Sequence, residues 1–137
     1  MAFAEDFEDV NAVLVYDLGG GTFDLAVVAR DGERGFRVAL PPRGDRNCSG
    51  SVFDDALYYY CDEIAREKYG GPISESEDEP DPHFRLACRR LKESLSYQQE
   101  VLFKRTLPGE RPEGRQEFEE KISRSAFDER IRERVRT

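Results

Sequence analysis

The eight residues DLGGGTFD, numbers 17–24, decide how this sequence is interpreted. The run AVLVYD before them, residues 12–17, is rich in β-branched and aromatic residues and predicts a buried strand. The run TFDLAVVAR, residues 22–30, predicts a second strand, and GFRVAL, residues 35–40, predicts a third that ends at Pro41 and Pro42. Strands joined by such glycine turns predict an antiparallel meander.

The glycines and acids of this stretch predict an anion site. Consecutive glycines let backbone N–H groups approach a bulky anion in conformations that other residues avoid. Thr22 adds a hydroxyl donor, and Asp17 and Asp24 add carboxylates that could hold hydrated magnesium or orient a water. Together these groups are what a nucleoside triphosphate requires. A glycine-rich hairpin without any ligand is the alternative.

Two other glycine motifs do not fit residues 17–24. A P-loop ends in Gly-Lys-Ser/Thr, which is absent here. The dinucleotide fingerprint has a third glycine where Asp24 stands and then continues into a helix, whereas the following run is strand-like.

The rest of the chain predicts two helices, a strand pair and a last helix. The first helix begins near Ser51 as its cap and stops at Gly70–Pro72. The second has Asp81 as its cap and Pro82 at its first position. Strands follow at 97–107 and 115–122, and the last helix begins near Ser123 or Ser125. The apolar stripes of the three helices are Phe53, Leu57, Tyr60, Cys61 and Ile64; Phe84, Ala87, Cys88, Leu91 and Leu95; and Phe127, Ile131 and Val135.

This order predicts a mixed fold, α/β with α+β character, and the composition excludes several functions. The net charge of -8 argues against nucleic acid or anionic lipid as a partner, and the arginine-rich stretches are expected to be solvated helix faces. Three cysteines without CxxC spacing predict free thiols and no structural zinc. No run is long enough to span a membrane, and we expect a cytoplasmic protein.

At this point the sequence resembles a known family. DLGGGTFD, preceded by VLVY, resembles the second phosphate-binding loop of the DnaK-like seventy-kilodalton heat-shock chaperones, members of the actin-like ATPase superfamily. Gly44-Asp45 followed by Gly50, Phe53 and Asp54 resembles the family's next glycine-bearing segment. Residues 85–96, RLACRRLKESLS, resemble its adenosine-binding helix, and ISRSAFDE, residues 122–129, resembles the start of the following helix.

The resemblance implies most of the second lobe of a nucleotide-binding domain. It implies a phosphate-loop sheet subdomain at residues 1–45 and a lid-like subdomain of helices and a hairpin at 46–121. A helix at 122–137 would return to the first subdomain. The expected architecture is therefore a fragment of an actin-like ATPase lobe.

The resemblance also implies ligands and site residues. Asp17 and Asp24 would lie near magnesium and the attacking water, as metal and catalytic residues. Arg85, Arg89, Lys92 and Ser96 form one polar stripe at helical spacing, which a solvated basic face would also explain. The residues expected to bind ATP or ADP are Gly19, Gly20, Gly21 and Thr22 at the phosphates, then Gly50, Arg89, Lys92 and Ser96.

Three departures set this chain apart from the family pattern. Residues 48–52, CSGSV, lack one glycine and two acids of the usual loop. Arg89 and Glu93 exchange the usual charges of the adenosine helix, and residues 70–82 form an acidic, proline-bearing loop.

The first lobe, with its phosphate loop and catalytic lysine, does not occur in the 137 residues. We therefore expect a parent ATPase, weak nucleotide binding by this chain and no turnover by it alone.

Two alternatives to an ATP-binding lobe remain open. The lid-like subdomain could act as a protein-interaction module without nucleotide, because exchange factors bind that region in the family. Expected partners are thus nucleotide, the other lobe, and an exchange factor or co-chaperone. The second alternative is another member of the superfamily, such as a sugar kinase or a filament protein.

Overall fold

A computed structural model describes residues 10–32, 35–76, 79–112 and 115–136. It is a mixed structure with antiparallel strands and three helices, as the sequence predicts. The chain forms two compact units, of which the first ends at Gly50 and the second begins at Ser51.

The first unit is a three-stranded antiparallel sheet, which confirms the predicted meander. Its strands are β1 (Ala12–Leu18), β2 (Phe23–Arg30) and β3 (Phe36–Asp45), in that spatial order. We expected β3 to end at Pro41, but it continues to Asp45. The register between β2 and β3 shifts between Leu25 and Val27, so that the strand accommodates both prolines.

Strand β1 is more exposed than the sequence predicts. Apolar runs such as AVLVYD are typical of strands covered on both faces. Tyr16 is nevertheless 70% exposed and Leu14 60% exposed. Within the first unit, the described residues form a single sheet layer, and that layer alone cannot bury these side chains.

The second unit contains three helices and a hairpin. They are α1 (Gly50–Tyr69), whose first residue still belongs to the first unit, α2 (Pro82–Leu95), β4 (Glu100–Thr106), β5 (Glu117–Ser123) and α3 (Arg124–Arg136). Helix α1 begins one residue before Ser51, the predicted cap, so Ser51 lies inside the helix. Its buried face also differs from the prediction, because Tyr58 and Ala65 are buried while Tyr60 and Ile64 are only half-buried. Tertiary packing thus buries a face of α1 that is rotated about the helix axis relative to the predicted stripe.

Helix α2 follows its sequence signals closely. Asp81 caps it, since the Asp81 carboxylate accepts a hydrogen bond of 2.6 Å from the Phe84 N–H, and Pro82 is its first residue. All five residues of the predicted apolar stripe are buried. The core of the second unit forms on this stripe, and the Phe84 ring lies edge-on to those of Tyr58, Phe103 and Phe118.

Helix α3 begins after Ser123, whose hydroxyl accepts a hydrogen bond from the Ala126 N–H at 3.2 Å. Phe127 is buried, but Val135 is 61% exposed and does not join the predicted stripe. The helix contacts α1 through an ion pair between Arg130 and Glu63 at 2.6 Å. The division into three subdomains at residues 45 and 121 stays a prediction.

Arg111 fixes the chain where it leaves α1. Its guanidinium donates hydrogen bonds to the carbonyls of Tyr69 and Gly71 at 3.2 and 3.1 Å, and also to that of Pro72. A further bond joins its Nε to the Pro108 carbonyl. Burial lowers the pKa of this guanidinium from its usual value. One side chain therefore satisfies carbonyls that the end of the helix leaves without partners.

Among the described residues, no helix combines the length and apolar character needed to cross a bilayer. The three cysteines are free thiols, and Cys61 on α1 and Cys88 on α2 are both fully buried.

Candidate functional site

The glycine loop, residues 19–22, joins β1 to β2 in a tight hairpin. Gly19 N–H donates to the Thr22 carbonyl at 2.8 Å and closes the turn. The Gly50 N–H, at the start of α1, donates to the Gly19 carbonyl at 3.0 Å. Gly50, which we expected to contact a nucleotide, thus uses its backbone donor to hold the loop.

The glycines of the loop leave room because they lack side chains, and their φ angles are not positive. We expected conformations that other residues avoid, but the glycines with positive φ lie elsewhere, and Gly19, Gly20 and Gly21 are not among them. A Cβ atom added to Gly20 or Gly21 would meet nothing within 4 Å. Within the described residues, neither of these two N–H groups donates to a protein acceptor. In the described part of the chain, the tip of the loop therefore offers open space and two N–H groups without a protein acceptor.

Asp17 and Asp24 flank this loop and lie directly opposite each other in the register of β1 and β2. Paired residues of antiparallel strands share a face of the sheet, so the two carboxylates lie on one side. Both side chains are exposed. Like charges in this arrangement repel each other, which favours a cation or a hydrogen-bonded water network between them.

Thr22 and Gly44 position the Asp24 carboxylate. The Thr22 hydroxyl donates to Asp24 Oδ2 at 2.7 Å, so in this arrangement it serves Asp24 and not a ligand. Gly44 pairs with Asp24 across β2 and β3, and a Cβ atom at Gly44 would lie only 2.6 Å from Asp24 Oδ1. The carboxylate thus occupies the space that the glycine leaves empty.

The described residues contain no group of three or more His, Cys, Asp or Glu side chains that could hold a metal ion. Asp17 and Asp24 are only two carboxylates, which do not make a closed metal site. Such a pair suits magnesium, because that ion keeps several waters and is bound through one or two carboxylates and substrate phosphates.

The three basic residues of the polar stripe of α2 all form ion pairs. Lys92 Nζ lies 2.6 Å from Asp54 Oδ1, and these side chains are only 20% and 13% exposed. Arg89 pairs with Glu93 at 3.5 Å on the exposed surface. Ser96 ends the helix, and its hydroxyl donates to the Lys92 carbonyl at 3.4 Å.

Arg85, which starts this stripe, makes a two-pronged contact with Asp55. Its Nε lies 2.6 Å from Asp55 Oδ1, and its Nη2 donates to Oδ2 at 2.9 Å. The consecutive acids Asp54 and Asp55 on α1 therefore bind two of the four polar residues on α2. The stripe thus joins α2 to α1 through ion pairs, and it is also a candidate ligand surface.

The structure brings the predicted site residues together as two sets. The glycine loop with its two acids lies in the first unit, and the polar stripe of α2 lies in the second. Sequence reasoning missed two positioning residues, Gly44 and Asp54. Both belong to the segment that resembles the family's second glycine-bearing loop, which was the signal that could have indicated them.

Comparisons with known proteins found a family model and a relative that are similar to this chain. A family model described as "Hsp70 protein" matches residues 2–136. The chain is also similar to "Heat shock 70 kDa protein BIP3" of Oryza sativa subsp. japonica, with 39% identity over 89 residues. That match covers 65% of this chain and 13% of the relative. The chain thus spans less than two thirds of the length of this relative.

Proposed function

The chain belongs to the Hsp70 family of nucleotide-binding chaperones, and on this premise we propose that it is an ATP-binding part of a chaperone-like ATPase. The observation that carries the proposal is the glycine loop, which among the described residues has open space and N–H groups without acceptors at its tip and two carboxylates on one face of the sheet at its base. The proposed ligands are ATP or ADP with magnesium.

The loop is the proposed site of the β- and γ-phosphates. Backbone N–H groups of Gly20 and Gly21 would donate to phosphate oxygens, because two adjacent free donors in a turn form a concave anion site. Gly19 would keep the turn closed through its bond to Thr22. Thr22 would contact phosphate only if its hydroxyl turned away from Asp24; otherwise it aligns that carboxylate.

Asp17 and Asp24 are the proposed metal and catalytic residues. Magnesium bound there through its waters would supply positive charge to the phosphates. The protein's own contribution is to hold two carboxylates on one face of the sheet, where they would accept hydrogen bonds from metal-bound or attacking water. Gly44 and Thr22 would keep Asp24 in this orientation.

The polar stripe of α2 is the proposed adenosine surface. Lys92 and Ser96 match family positions that contact adenosine, and Arg89 stands where the family usually has a glutamate. Lys92 is already held by Asp54, so a ribose hydroxyl would meet a fixed ammonium group and not a mobile one. Arg89 and Glu93 would exchange roles as donor and acceptor.

Hydrolysis would depend on groups outside these residues. Phosphoryl transfer requires donors and charges that converge on the nucleotide from several sides. We propose that this chain binds nucleotide weakly and does not turn it over alone. Its partners would be the other lobe of the same protein and an exchange factor or co-chaperone, and its compartment would be the cytoplasm.

Calorimetric titration of the chain with magnesium-ATP tests the proposal. Asp17→Asn should weaken binding about tenfold, which corresponds to about 1.4 kcal/mol. Asp31→Asn is the matched control, because it makes the same charge change at the opposite end of the sheet and should leave affinity unchanged. No heat at millimolar nucleotide, or equal affinity in Asp17→Asn, would overturn the phosphate-loop assignment.

A further inference from the structure

An open groove of about 540 Å³ lies on the second unit between α2 and the end of β4. It is distinct from the polar stripe, and no part of the proposed nucleotide contacts lines it. Its apolar residues include Phe84, Leu86, Ala87 and Leu107, and its basic residues include Arg90 and Arg105. We name it the α2–β4 groove.

The two arginines of the groove differ from their neighbours in their partners. On α2, the side chains of Arg85, Arg89 and Lys92 each pair with a carboxylate. Within the described residues, Arg90 has no such ion pair. Arg90, which lines the groove, is thus the one arginine of α2 without an ion-pair partner in the part of the chain that the structure describes.

Strand β4 likewise contains one basic residue with a carboxylate partner and, among the described residues, one without. Lys104 pairs with Glu119 on β5 at 2.7 Å. Arg105, the next residue, has no carboxylate partner in the described part of the chain; it lies 5.1 Å above the Phe103 ring and donates to the Lys104 carbonyl. Stacking on an aromatic ring holds a guanidinium in place and leaves other donors available. Arg105 is therefore partly ordered before any anion arrives.

The acidic side chain that lines the groove does not neutralise these arginines. Asp81 is the only acid among the described lining residues, and its carboxylate accepts the Phe84 N–H at the start of α2. The chain as a whole carries a net charge of -8. Among the described lining residues, two arginines without an ion-pair partner thus stand against one acid, on a protein that is acidic as a whole.

The groove also presents apolar surface. Leu86 is 49% exposed, although it lies on a helix whose other large apolar residues are buried. It stands beside the buried Phe84 and Ala87. A ligand that matched this site would combine carboxylates for the arginines with an apolar side chain for Leu86.

We propose that the α2–β4 groove binds an acidic peptide segment of another protein, with glutamates or aspartates around one large apolar residue. Carboxylates accept two parallel hydrogen bonds from a guanidinium, which gives direction as well as attraction. The apolar residue would cover Leu86 and exclude water from the arginine contacts. This binding needs no nucleotide and stands independently of the proposed function.

Fluorescence anisotropy with a labelled peptide of glutamates around a central leucine tests the groove. Arg90→Glu and Arg105→Glu should each weaken binding at least about tenfold, because each replaces an attraction by a repulsion. Arg132→Glu on α3 is the matched control, with the same charge change outside the groove. It should change affinity by less than about twofold. Far-UV circular dichroism confirms that every variant is folded.

Changes in the peptide and in Leu86 separate specific docking from simple charge attraction. Replacing the central leucine by serine in the peptide, or Leu86→Ser in the chain, should weaken binding about fivefold through lost apolar contact. Equal binding of a lysine peptide, or of a glutamate peptide without leucine, would overturn the proposal. Self-association that Arg90→Glu abolishes would overturn it in favour of a second copy of the chain.

Discussion

Lys92 Nζ lies 2.6 Å from Asp54 Oδ1, in an ion pair that joins α2 to α1 with both side chains largely shielded from water. Opposite charges so placed interact more strongly than those on an open surface, and removing one leaves the other without its partner. The pair therefore has two roles, in the stability of the second unit and in the orientation of Lys92.

Lys92→Met should destabilise the chain by about 2 kcal/mol, since it leaves the Asp54 carboxylate shielded and unpaired. Urea unfolding measures the loss. Arg89→Met removes an exposed i,i+4 pair on the same helix and should cost no more than about 0.5 kcal/mol. Equal losses in the two variants would contradict the distinction, and adding Asp54→Asn should restore part of the loss in Lys92→Met.

Gly44→Ala should redirect the Asp24 carboxylate, because the new Cβ atom would lie 2.6 Å from Asp24 Oδ1. We expect magnesium-ATP affinity to fall about fivefold, as measured by calorimetry, with little loss of stability. In an Asp24→Asn background the same glycine substitution should have almost no further effect on affinity. Additive losses would show that Gly44 acts by another route.

Arg111→Met should cost about 2–3 kcal/mol in urea unfolding, because it leaves backbone carbonyls at the end of α1 without donors. Arg111→Lys keeps the charge but not the planar fork, and should recover less than half of that loss. Arg115→Met, at an exposed arginine nearby in sequence, is the control and should be almost neutral. Full rescue by lysine would mean that charge alone matters.

Stability should fall as pH rises above about 8.5, the usual value for a thiol. Contact with Cys88 and burial raise the pKa of Cys61 well above its ordinary value, so the folded chain keeps a proton that the unfolded chain releases. This contribution is fully present below the unfolded pKa and is lost as pH rises towards the folded one. Thermal unfolding from pH 7 to 10 should show a flatter profile for Cys61→Ala. An unchanged slope would exclude Cys61 as the source.

Helix α2 could be predicted residue by residue because its signals are local. Asp81, Pro82 and the five apolar residues determine its start and its buried face, and all of them act as the pattern predicts. Helix α1 had equally clear limits, but its neighbours decide which side it buries. That is why Tyr58 and Ala65 replaced Tyr60 and Ile64 in its core face.

In the candidate site too, some contacts arise between residues close in sequence and others between segments that are distant in sequence. The pairing of Asp17 with Asp24 has a local cause, because a short hairpin joins the two strands that carry them. The Lys92–Asp54 pair and the contact of Asp24 with Gly44 depend on how distant segments meet, and no spacing rule contains that information. The glycine loop was correctly located, but its glycines provide space instead of positive φ angles.

The prolines of β3 have a consequence for how the three-stranded sheet can grow. Strands β1 and β3 are its two edges. Pro41 and Pro42 carry no N–H donor, and they lie at the register shift of β3, where the regular ladder is already disrupted. An added strand would find an interrupted ladder there and an unbroken one along β1, which contains no proline. As far as the structure describes the chain, the outer edge of β3 is therefore protected against pairing with an added strand, whereas the outer edge of β1 is not.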